Sequence, residues 1–157
     1  MIFEQSVYKL DVDVEQTRAF YEAEPGISCD CSGCRNFIEI AGALPEHIDA
    51  YLRQFGIDPG KPAEASAVYA PDADSIFYSG SYYICGTMLE GTDPWIPNGP
   101  KSYALREGYY ISLGAGDDSV SFYEDDGWNP EWENQLFRLQ IFFKASWVLD
   151  EENTYLL

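Results

Sequence analysis

Three of the four cysteines, Cys29, Cys31 and Cys34, fall in the run Cys29-Asp30-Cys31-Ser32-Gly33-Cys34. Thiolates spaced C-x-C-x-x-C can converge on one Zn²⁺, and a tetrahedral zinc site takes four ligands. The remaining sulfur is Cys85 and the sole histidine is His47. Either could complete the set, so Cys29, Cys31, Cys34 and Cys85 form the candidate metal site, with His47 as the nitrogen alternative. The same residues admit a redox reading. Cys31-Ser32-Gly33-Cys34 is a C-x-x-C opening a helix, where the helix dipole lowers a thiol pKa. A helix precedes it here, whereas a thioredoxin-type site follows a central strand. In the plainest reading the cysteines are small apolar residues packed where helix meets sheet.

Other chemistry is thinner. A Ser–His–Asp or Cys–His pair would have to use His47, which the periodicity of its helix points outward. Carboxylates are so abundant that no pair of them stands out as glycosidase-like. Glu124-Asp125-Asp126-Gly127 lacks the alternating acids of a calcium loop. Gly114-Ala115-Gly116-Asp117-Asp118 resembles a phosphate loop only in its glycines; acids and a strand follow it, where a phosphate would need a helix N-terminus. Trp95, Trp128 and Trp132 sit in Pro/Gly-rich loops, where they would either form a platform for a sugar or peptide or cap the sheet. No catalytic residue is assigned, and zinc is the one cofactor the residues suggest.

The elements that must position the cysteines follow from periodicity. Ser6 to Val12 alternates as a half-buried strand, with Tyr8, Leu10 and Val12 inward. Asp13 with Gln16 three residues on is a capping box for a helix from about Val14 to Glu22. Phe37, Ile40, Ala41 and Leu44, and then Ile48, Tyr51, Leu52 and Phe55, mark two amphipathic helices separated by Pro45. After Glu64 the period becomes that of strands. These are predicted at Ser66–Tyr69, Ile76–Tyr78, Tyr82–Met88, Ser102–Leu105, Tyr109–Leu113 and Val120–Tyr123. The last is an alternating run from Phe137 to Leu149. Ser79-Gly80-Ser81 reads as a break between two strands, and 91–101 and 127–134 as loops. The expectation is one α+β domain over 1–157: an N-terminal strand and three short helices, then an antiparallel β-meander or twisted sheet.

Composition sets outer limits. A chain of 157 residues that is 46% hydrophobic can bury roughly 70% of its unfolded surface. Its formal charge is −18, from 27 acids against nine bases. That argues against nucleic acid and anionic lipid, whose phosphates need Lys and Arg, and for a partner with a basic surface. No apolar run approaches the ~20 residues of a membrane span. The N-terminus lacks the pattern of a signal peptide. Cysteines crowded into one turn suit a reducing cytoplasm better than a secreted disulfide framework.

Cys29-Asp30-Cys31-Ser32-Gly33-Cys34-Arg35-Asn36-Phe37, then Gly56-Ile57-Asp58-Pro59-Gly60-Lys61-Pro62-Ala63-Glu64 and the closing Trp147-Val148-Leu149-Asp150-Glu151, resemble an uncharacterised family of small bacterial proteins. The resemblance implies a bacterial or prophage source and a cytoplasmic address, and no activity. The expected function is accordingly a non-enzymatic binding protein of immunity or phage type, with an acidic, aromatic-rich surface. A zinc-stabilised domain and a thiol redox enzyme using Cys31 and Cys34 are the alternatives.

Overall fold

The computed structural model describes residues 1–114, 116–124 and 135–156. The chain opens with a hairpin, β1 (Ile2–Gln5) and β2 (Tyr8–Val12), turning at Ser6, which adopts a positive φ of 51°. Asp13 caps α1 (Val14–Ala23), accepting a hydrogen bond from the backbone N–H of Gln16 at 2.9 Å, as its capping pattern requires. α2 (Ser32–Ala41) follows the cysteine turn, and Pro45 is the N-cap of α3 (Glu46–Arg53).

The strands then come in series: β3 (Glu64–Tyr69), β4 (Ser75–Glu90), β5 (Trp95–Gly99), β6 (Ser102–Leu105), β7 (Ile111–Ser112), β8 (Ser119–Glu124) and β9 (Leu136–Ser146). Together with β1 and β2, five of these form one seven-stranded antiparallel sheet in the order β1-β2-β4-β9-β8-β7, with β3 also on β4. β9 pairs with β4 from Ser75 to Cys85. β3 takes the first part of β4's other edge and β2 the last. The fold class is therefore the expected α+β, although the strand order is not sequential.

One long strand replaces the two expected around Ser79-Gly80-Ser81. Gly80 is buried, and a Cβ there would meet the Glu64 carbonyl at 3.5 Å and Ile141 at 3.7 Å, ordinary contact distances. The ladder runs straight through it, with Gly80 opposite Ala65 of β3 and Ile141 of β9. The segment expected as a loop over 91–101 contains β5, which pairs with β6 in a separate two-stranded sheet. The expected loop 127–134, with Trp128 and Trp132, lies outside the described residues.

The helices cover one face of the sheet. Ile76, Tyr78, Tyr82 and Ile84 of β4 and Phe137, Leu139, Ile141 and Phe143 of β9 alternate inward, each at most 1% exposed. They meet Phe37 and Ile40 of α2, Ile48 and Leu52 of α3, and Phe55 of the turn after α3 in one hydrophobic core. Two polar ties register α1 on β4: the Thr17 hydroxyl accepts from the Cys85 N–H at 3.1 Å, and the Tyr21 hydroxyl donates to the Tyr83 carbonyl at 2.7 Å. Among the described residues, no helix is long and apolar enough to cross a membrane.

Candidate metal centre

The cysteine turn sits at the N-terminal end of α2. Cys31 is the N-cap, in extended conformation, and its sulfur accepts from the Cys34 N–H at 3.5 Å. One helical turn therefore brings Cys34 beneath Cys31, and the extended residue before the cap brings Cys29 alongside, with its thiol donating to the Cys31 sulfur at 3.3 Å. The three sulfurs all lie within 4.8 Å of one another. Cys29 and Cys31 are exposed and Cys34 is buried.

That arrangement fits a zinc ion. At a Zn–S distance of about 2.3 Å, tetrahedral geometry places sulfurs about 3.8 Å apart. The Cys29–Cys31 pair, at 3.3 Å, would have to open only slightly. Removing the three protons would leave three negative charges in contact, which a divalent cation converts from repulsion to attraction.

The two cysteines of the C-x-x-C are driven in opposite directions. The Cys34 N–H, the thiols of Cys29 and Cys34, and the Tyr155 hydroxyl all donate toward Cys31 and lower its pKa to about 7. Burial, then the neighbouring thiols, pushes Cys34 up to about 12. An exposed, acidic thiol over a buried one is also the arrangement of a reactive dithiol.

A set of residues that their spacing did not single out locks the turn in place. Gly33 has no room for a side chain: a Cβ would lie 2.8 Å from the Tyr155 hydroxyl and 3.1 Å from the Ala67 Cβ. Its carbonyl accepts from the Tyr78 hydroxyl at 2.7 Å. Asn36 is fully buried. Its amide donates to the Tyr78 hydroxyl and the Ser146 carbonyl, and its oxygen accepts from the Val148 N–H at 2.8 Å. Arg35 donates to the Asp30 carbonyl at 3.2 Å and pairs with the Glu151 carboxylate. The run Cys34-Arg35-Asn36-Phe37 was the available signal for this network. Apart from Asp30, its partners lie 42 to 116 positions away, beyond the reach of spacing.

The other expected ligands stand elsewhere. Cys85 is not in the sulfur cluster. It is buried in the middle of β4 against α1, its backbone tied to Thr17, and burial raises its thiol pKa. It is thus placed as a small core residue. His47 faces Asp118, with Nε2 3.2 Å from the carboxylate. Trp95 is half exposed on β5. Comparison with known proteins returns no likeness from which a role could be carried over: no family model, no curated protein and no solved structure matches the chain.

Proposed function

We propose that this chain is a non-enzymatic binding domain whose cysteine turn holds a zinc ion through Cys29, Cys31 and Cys34. The observation that carries the metal reading is the convergence of the three sulfurs within 4.8 Å. The ion would fasten the extended segment before α2 to the helix itself, adding binding free energy to folding free energy as small thiolate sites do. Elemental analysis of protein purified without added metal and under a non-thiol reductant is expected to find close to one zinc per chain. Substoichiometric zinc that reconstitution does not raise overturns the reading.

The binding reading has its own support, a groove of about 730 Å³ between the C-terminal half of α2 and the end of β9. Ile40, Leu44, Phe143 and Val148 give it an apolar floor, and Glu39, Asp72 and Asp74 a carboxylate rim. Lys144 also lines it. In a chain of net charge −18, this groove suits a partner segment that carries an apolar anchor flanked by Lys or Arg.

A further inference from the structure

We propose that the fourth donor to the zinc centre comes from outside the chain, and that it is a thiolate, so that the centre is an exchangeable site. The inference rests on the zinc reading above and names what that same site binds.

Among the described residues, no fourth histidine, cysteine or carboxylate reaches the three sulfurs. The structure supplies positive reasons. Two acids beside the turn share one cation: Arg35 pairs with the Glu151 carboxylate and lies 3.8 Å from the Asp30 carboxylate. Cys85 and His47 are engaged on β4 and with Asp118 respectively. Cys34 closes the protein side of the cluster, while Cys29 and Cys31 face solvent. The cluster is thus open on the side of Cys29 and Cys31.

Chemistry selects the ligand class. A sulfur-rich zinc site prefers a further soft donor to a carboxylate. The entering thiol would give its proton to solvent and a sulfur lone pair to the ion, displacing to solvent the water that otherwise fills a fourth position. Three protein ligands with an accessible fourth position are the pattern of zinc sites that exchange ligands, whereas purely structural sites close with four. The thiolate has two sources, a small-molecule thiol or a cysteine of another protein chain.

The test uses the full chain loaded anaerobically with Co²⁺ under a phosphine reductant. Cobalt reports its ligands through sulfur-to-metal charge-transfer absorption. Titration with 2-mercaptoethanol is expected to raise that absorption saturably by about one third, the step from three thiolates to four. Arg35→Ala, which releases Asp30 and Glu151 to compete, is expected to raise the half-saturating thiol concentration severalfold. If the four-thiolate spectrum instead develops without added thiol as protein concentration rises, with a dimer on size exclusion, the donor is a second copy's cysteine and the inference stands. A one-to-one cobalt complex indifferent to saturating thiol overturns it. So does a spectrum that Asp30→Asn changes and thiol does not, because the fourth donor is then internal. Failure to bind cobalt at all is a different result and removes the zinc reading itself.

Discussion

Cys31 and Cys34 belong to one turn of one helix, yet their surroundings separate their acidities, to about 7 and about 12. The cause is orientation. Cys31 collects donors, the Cys34 N–H foremost, and Cys34 is buried beneath it. Because the thiolate is the nucleophile, alkylation of metal-free, reduced protein by iodoacetamide is expected to single out Cys31. Its rate should rise through a midpoint near pH 7, while Cys34 and Cys85 stay slow throughout the neutral range. Mass spectrometry of the modified peptides checks this; equal rates at all four cysteines would contradict the turn geometry. Zinc should protect Cys31, which separates a metal-holding turn from a free dithiol. At this scale the sequence was readable where chemistry was local. The C-x-C-x-x-C spacing led to three converging sulfurs. Gly33, Asn36 and Tyr155 could not be read in the same way, because each acquires its role only when the end of the chain packs against the start of α2.

Elements were legible where one face met the core and illegible where both faces did other work. α1, with its Asp13 cap, and the alternating β9 follow directly from pattern. β4 does not. Its middle, Ser79-Gly80-Ser81, is small and polar and resembles a turn in sequence, yet it pairs with β3 on one side and β9 on the other. Another glycine of the same strand marks a true close approach. Gly86 has φ +151°, and a Cβ on it would lie 2.1 Å from the Asp11 carbonyl. Gly86 also pairs with Val12 in the β2–β4 ladder. Gly86→Ala should therefore push β2 off β4 and cost at least about 2 kcal/mol, measurable by urea denaturation. A neutral substitution would show that the β2 edge yields without penalty.

The molecule as a whole carries 27 acids against nine bases, and its groove sets Glu39, Asp72 and Asp74 beside apolar side chains. A short Lys/Arg-rich peptide with a central leucine is expected to bind there at low salt. Glu39→Gln with Asp74→Asn should weaken it severalfold. Those two rim residues are chosen because Asp72 is needed by its own turn, where its carboxylate accepts from the Asp74 N–H and the Ser75 hydroxyl. At about 1 M salt, where the screening length falls to about 3 Å, binding should be largely lost. Affinity unchanged by salt would remove the electrostatic basis. Charge and overall class were readable from composition and period. The groove was not, since it forms only where α2, the Asp72–Asp74 turn and β9 meet.

The closing segment places the cysteine turn in time as well as in space. Arg35 precedes its partner Glu151 by 116 positions, and Tyr155, whose hydroxyl reaches Cys31, comes later still. A ribosome adding about 5–20 residues per second therefore delivers the three thiols on the order of ten seconds before the residues that tie the turn to the end of the chain. During synthesis the nascent turn waits for the contacts that fix its place in the fold.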